Sequence, residues 1–181
     1  NMLKRLIGED IDLTWQPARN LRSVKIDPSQ IDQILANLCV NARDAIKGVG
    51  KVTIQTDHIV FDDAYCRQHP GSNPGDHVMM AITDNGSGME KKTLDNLFEP
   101  FFTTKDLGQG TGLGLATVYG IVKQNKGFID VSSQPGKGTT FRIYFPAYSK
   151  MIISKQKPLA KASRTGNETI LLVEDEKPLL K

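Results

Sequence analysis

Cysteine is scarce: Cys39 and Cys66 are the only two in 181 residues. That is too few for a disulfide framework, and their spacing fits no metal site. Unpaired thiols suit a reducing compartment. Long apolar runs are missing too, since nothing approaches the ~18 residues of a membrane span. The opening Asn1-Met2-Leu3-Lys4-Arg5 leads into no apolar stretch with a cleavage site, so no signal peptide is expected. Only three histidines occur, His58, His69 and His77, and none lies on a stretch with helical apolar periodicity. All three read as structural or surface residues.

The net charge of +3 is concentrated in one place. Between Ala147 and Asn167, Lys150, Lys155, Lys157, Lys161 and Arg164 face no acid, so this segment carries +5 and the rest −2. No aromatic residues alternate with a basic face, which argues against nucleic-acid binding. The segment 149–167 reads as a basic linker.

The remainder has the periodicity of a folded domain. Ile11, Leu13 and Trp15 alternate with polar residues and predict a strand. Pro17-Ala18-Arg19-Asn20 is a turn signal, and Val24 and Ile26 suggest a returning strand, so an opening hairpin is expected. A helix then starts with Asp27 as N-cap, Pro28 in the first position and Gln30 closing a capping box. Ile31, Ile34, Leu35, Leu38, Ala42, Ala45 and Ile46 form its apolar stripe, and Gly48 and Gly50 end it. Strands follow around Val52–Thr56 and Val78–Thr83, separated by a polar excursion over 62–76. Leu115, Val118, Tyr119 and Val122 predict a second helix, and Phe128–Ser133 with Thr139–Phe145 a closing hairpin. The expected fold is an α+β two-layer sandwich, a mixed sheet with helices packed on one face.

Four patches carry chemistry. Asn37 and Asn41 are four apart on the long helix and share a face beside the apolar stripe. An amide oxygen there is a hard ligand suited to Mg²⁺. Taken alone, the pair reads more readily as capping loops or facing solvent. Asp84-Asn85-Gly86-Ser87-Gly88-Met89 follows a buried strand. Its carboxylate only accepts hydrogen bonds, which suits an exocyclic amine, and its glycines let a flat ligand approach. An ordinary Asp-Asn-Gly turn is the alternative. Phe98-Glu99-Pro100-Phe101-Phe102-Thr103-Thr104-Lys105 reads as a loop anchored by phenylalanines, with Thr104 and Lys105 turned to a phosphate. Gly108-Gln109-Gly110-Thr111-Gly112-Leu113-Gly114-Leu115 opens a helix, so backbone N–H groups and the helix N-terminus can meet an anion. The loop matches neither GxxxxGK[ST] nor GxGxxG, and its four glycines predict a mobile lid.

In order and content these patches resemble the histidine kinase catalytic domain, of the Bergerat ATP-binding fold shared with gyrase-type topoisomerases, heat-shock chaperone ATPases and mismatch-repair ATPases. The likeness covers about residues 1–146. Residues 30–46 look like the family's asparagine box, 84–89 and 108–115 its two glycine boxes, and 98–105 its phenylalanine box. Gly136-Lys137-Gly138-Thr139-Thr140 resembles a last box near the adenine. The resemblance implies Mg²⁺ and ATP as cofactors, with Asn41 as metal ligand. Asn37, Asn41 and Lys105 would be catalytic. The nucleotide would meet Asn41, Ala45, Asp84, Gly86, Gly88, Met89, Thr104, Lys105, Gly108, Gly110, Thr111, Gly112, Leu113, Gly114, Leu115 and Thr139. One departure concerns the position three after the metal asparagine, where many family members carry Lys or Arg. Here it is Asp44, with Arg43 beside it.

A kinase of this kind needs a phosphate-accepting histidine on a helical hairpin, and none of His58, His69 and His77 lies on an amphipathic helix. The expected domains are therefore a catalytic domain over 1–148, the linker, and over 168–181 the truncated first strand of a receiver domain, to which Ile170–Glu176 is similar. Implied partners are the phosphoacceptor hairpin, in cis or trans within a homodimer, and a receiver domain of the same chain or a response regulator. No membrane insertion by this segment is expected, and a cytoplasmic location is, whether or not the full-length protein is membrane-anchored. Two other readings stand: an ATP-hydrolysing machine and a non-catalytic nucleotide scaffold. Relatives that hydrolyse ATP carry a Glu four residues before the metal asparagine as general base, and here that position is the neutral amide of Asn37.

Overall fold

A computed structural model of the chain describes residues 2–105 and 110–148. Helix α1 (Met2–Ile7) leads into strand β1 (Ile11–Gln16), and helix α2 (Pro28–Ala45) leads into strand β2 (Gly50–Phe61). The short helix α3 (Asp63–Gln68) fills the polar excursion before β3 (Gly75–Asp84). Helices α4 (Lys91–Asp95) and α5 (Gly114–Gln124) precede the closing strands β4 (Phe128–Gln134) and β5 (Gly138–Pro146).

The five strands form one mixed sheet in the order β1-β2-β3-β5-β4. The β1–β2 pair is parallel and all others are antiparallel. The expected opening hairpin is therefore incorrect. Val24 makes only an isolated bridge to Ala147, and β1 instead pairs with β2 across α2. Burial explains the difference: Ile11 and Leu13 pack into the core, which the parallel register achieves by setting them opposite Gly50 and Val52. Parallel strands need a long crossover, and α2 supplies it.

Helix α2 begins as its sequence predicts, with the Asp27 side chain accepting from Ser29 N at 2.9 Å and Pro28 in the first turn. Gln30 does not close a capping box. Its side chain reaches Gln124 and Asn125 at the end of α5, tying the two long helices together. Ile34, Leu38, Cys39 and Ala42 are buried on one stripe of α2. Fully burying a residue such as Ile34 or Leu38 is worth about 2 kcal/mol. They meet Val118, Ile121 and Val122 of α5 and the inward residues of the sheet, including Val52, Ile54, Met80, Ile82, Phe141 and Ile143.

The large helices thus lie on one face, as expected. The opposite face has a smaller apolar cluster, where Phe61, Met79, Ala81 and Tyr144 are covered by Tyr65 and Cys66 of α3. Strand β3 is buried from His77 to Ile82 because it is packed on both sides. It ends at Asp84, which delivers that carboxylate beside Thr139 of β5.

Candidate functional site

A cavity of about 570 Å³ opens between α2, the end of β3 and the segments that flank α5. It brings together residues from all four sequence patches. Asn37, Asn41 and Ala45 come from α2, and Asp84, Gly88 and Met89 from the loop after β3. Thr104 and Lys105 come from the phenylalanine-rich segment, and Gly110, Thr111, Gly112, Gly114 and Leu115 from the approach to α5. Thr139 of β5 closes the wall. Gly86 stands behind this wall against Ala45, Leu113 is 42% exposed and points elsewhere, and Gly108 lies outside the described residues. A larger groove along Lys4, Asp10, Ile11 and Val49 contains none of the four patches, so size does not select the site.

The Asp84 end is built from backbone. Asp84 is only 6% exposed, and its Oδ1 accepts from Gly86 N at 2.8 Å. Burial pushes its carboxyl above the usual carboxylate value, and the N–H groups of Gly86 and Thr139 offset only part of that. Asn85 turns away and accepts from Lys51 N at 2.8 Å. Ser87 N donates to the Ala45 carbonyl at 2.9 Å, and Met89 N donates to Ser133 Oγ at 2.8 Å. Ser133 Oγ also meets Thr139 Oγ1 at 2.8 Å. These bonds clamp the loop between α2 and the β4–β5 hairpin. Gly88, at φ 64°, passes so near the Gln134 carbonyl that a Cβ would collide with it.

The Lys105 end is built from charge. Lys105 Nζ pairs with Asp44 Oδ2, and Asp44 Oδ1 accepts from Arg43 Nε at 2.9 Å and Nη2 at 2.8 Å. Arg43 Nη1 also donates to the Leu6 carbonyl at the end of α1, at 2.9 Å. Desolvation pushes the Asp44 carboxyl up, but the Lys105 and Arg43 bonds outweigh it and hold the group below its usual value. Asn37 and Asn41 are half-buried on the same side of α2. Helix α5 starts at Gly114 with no side-chain cap, so its first turn relies on other partners for its N–H groups.

The phenylalanines divide differently from expectation. Phe98 packs on the core and against Tyr119, with ring centroids 5.0 Å apart. Phe102 lines the cavity, while Phe101 is 75% exposed at φ 67° and its N–H donates to the Gly112 carbonyl at 3.0 Å. Sequence reasoning missed Ser87, Thr93, Leu97 and Thr103 as lining residues, and no periodic signal marks them.

The donor set suits a hydrated divalent cation shared with a phosphate chain. Among the described residues no group of three or more His, Cys, Asp and Glu could cage a metal. Amide oxygens from Asn37 and Asn41 supply a partial hard-ligand set, and Mg²⁺ commonly keeps waters and takes phosphate oxygens for the rest. The histidines stand apart. His58 pairs with Asp76, His69 stacks on Tyr65 with centroids 3.9 Å apart, and His77 is 3% exposed. None of the described helices is long and apolar enough to cross a membrane.

Residues 26–149 match the family model of the histidine kinase-, DNA gyrase B-, and HSP90-like ATPases. The chain is 44% identical to the sensor kinase CckA of Brucella abortus (strain 2308), over 97% of this chain and 19% of that protein. It is 37% identical to the sensor histidine kinase ZraS of Escherichia coli (strain K12), over 77% of this chain and 26% of that one. The chain thus spans about a fifth to a quarter of these curated relatives. Among solved structures, the catalytic domain of histidine kinase ThkA superposes with a TM-score of 0.60 at 26% identity, covering 80% of this chain and 82% of that one.

Proposed function

The chain belongs to the histidine kinase-, DNA gyrase B-, and HSP90-like ATPase family, and from that premise we propose that it binds Mg²⁺-ATP and donates the γ-phosphoryl group to a histidine on a separate helical hairpin domain. The observation that carries this reading is the shape of the cavity, with a buried carboxylate at one end and amides and an ammonium at the other. In this reading Asp84 accepts from the adenine amine. Gly86 brings the loop against Ala45, and Gly88 and Met89 line the base's slot with Thr139. Thr104, Lys105 and the 108–115 segment, with Gly110, Thr111, Gly112 and Gly114, meet the phosphates. Leu113 and Leu115 seat that segment. Asn41 holds the metal and Asn37 a phosphate or a metal-bound water. The cation supplies charge neutralisation along the phosphate chain.

Transfer is favoured over hydrolysis because, among the described residues, no side chain near Asn41 is ready to take a proton from water. Asn37 is neutral, and Asp44 is occupied by two cations that hold it ionised and weakly basic. Phosphoryl transfer is mostly positioning plus neutralisation, so an acceptor presented in line is what the site needs. The parent protein would work in two-component signalling, as a homodimer serving a response regulator or a receiver domain. The receiver-like Ile170–Glu176 and the basic linker lie outside the described residues.

The test is incubation with γ-labelled ATP. Alone, the chain stays unlabelled. A phosphoacceptor hairpin added as a separate polypeptide gains acid-labile label on its histidine, and Asn41→Ala abolishes it. Stoichiometric label on His58, His69 or His77 would overturn this reading.

A further inference from the structure

At the Lys105 end of the cavity, among the described residues, Asp44 is the acid that an anion site does not need. Asn37, Asn41 and Asp44 follow at i, i+4 and i+7 on α2, within about 60° of one another around the helix. The carboxylate therefore faces the same end of the cavity as the two amides and belongs to its lining. It is not a loosely held surface acid. Arg43 grips Oδ1 with two nitrogens and is itself fixed by the Leu6 carbonyl, which leaves Oδ2 aimed at Lys105. The Lys105 and Asp44 side chains are 32% and 27% exposed, so the pair is only partly screened by solvent.

Phosphates arriving at this end thus meet a lysine already paired with a carboxylate, within an Arg43–Asp44–Lys105 cluster of net charge +1, in place of a bare ammonium. To engage Lys105 they must displace a carboxylate that repels them. The repulsion scales with the charge on the ligand, so it is largest for ATP without a divalent cation and absent for adenosine. We propose that Asp44 makes the hold on a nucleotide's phosphates depend on a divalent cation, by keeping Lys105 in an ion pair that unneutralised phosphates have to break. This rests on the assignment of Asn41 and Lys105 to the phosphate end made above. Asp44 acts through Lys105 and through its own charge. It is a specificity-determining residue, with no part in the transfer itself.

The experiment measures dissociation constants of adenosine, ATP with EDTA, and ATP with Mg²⁺ by calorimetry, for wild type, Asp44→Asn and Asp44→Ser. Metal-free ATP should tighten by about three- to fivefold in both variants, the scale of one partly exposed ion pair. Mg²⁺-ATP should change less, and adenosine not at all. In a Lys105→Met background the gain from Asp44→Asn should shrink. Equal gains with and without Mg²⁺, or no gain, would overturn the proposal. So would loss of adenosine binding in both variants, which would make Asp44 a structural residue. If the wild type bound no adenosine, the underlying site assignment would fall, and the proposal with it.

Discussion

The two ends of the cavity are held by different forces. At Asp84 the restraints are short, mostly backbone and hydroxyl hydrogen bonds around a buried carboxylate, running to α2 on one side and to the β4–β5 hairpin on the other. At Lys105 the restraints are an ion pair between half-exposed side chains and a glycine-rich approach to α5. A site that must tell one base from another gains from walls that do not yield. A site that must accept and release a charged tail gains from contacts that exchange one anion for another at little cost.

The largest test of this contrast is a pair of glycine substitutions. Gly88→Ala should cost about 3 kcal/mol of folding stability, because the left-handed backbone and the collision with the Gln134 carbonyl act together. Gly110→Ala should cost less than about 1 kcal/mol, since its nearest neighbours are side-chain atoms of Thr103 and Lys105 with no backbone among them. Urea unfolding of both decides the matter, and equal losses would erase the distinction between a stiff end and a yielding one.

Next in size is Asp84→Ala, which should lose about 1.5–3 kcal/mol of ATP affinity, the range of a charge-assisted hydrogen bond. Adenosine should lose as much, because the contact proposed for Asp84 is to the base. Calorimetry reads both. A loss confined to ATP would move Asp84 to the phosphate end of the comparison.

The smallest effect is a difference of sign in acid. The Asp84 carboxyl lies above its ordinary value of 3.8, so the folded state takes up its proton first. Its contribution to stability therefore improves as pH falls through that raised value toward 3.8. The Asp44 carboxyl lies below 3.8, so its contribution is complete above 3.8 and is lost as pH falls through the folded value. Unfolding midpoints measured from pH 7 to pH 3 should show Asp84→Asn removing an acid-side gain and Asp44→Asn removing an acid-side loss. Both variants shifting in the same direction would contradict the assignment of the two environments.

Much of this was legible in the sequence, and the reason is local. The α2 stripe, the cap at Asp27 and the glycine-rich approach to α5 are patterns within a few residues, and the structure reproduces them. The closing hairpin was equally plain, because Pro135-Gly136-Lys137-Gly138 is a turn and both flanks alternate. The opening strand was not. A turn signal at Pro17–Asn20 suggested a return, but only burial against the core decides that β1 pairs forward with β2. Phe101 misled for a similar reason. Three phenylalanines in five residues look like an anchor, whereas the backbone turns one of them outward. The Asp44–Lys105 pair joins residues 61 apart in sequence, and no pattern at that range announces which cation a carboxylate will find.

The hydrogen bond from Arg43 to the Leu6 carbonyl has a consequence for local opening. Strand β1 is bonded to the sheet along one side only, and α1 rests on α2. Edge segments of this kind open at a fraction of the free energy of global unfolding, and amide exchange detects the event. When α1 lifts, Arg43 loses the carbonyl that orients it, and Asp44 loses a fixed partner. Where β1 and α1 lift together, the exchange rates of the first strand and the freedom of Lys105 report one shared excursion. A molecule that clamps the N-terminal edge would slow the first and restrict the second, with no contact to the cavity at all.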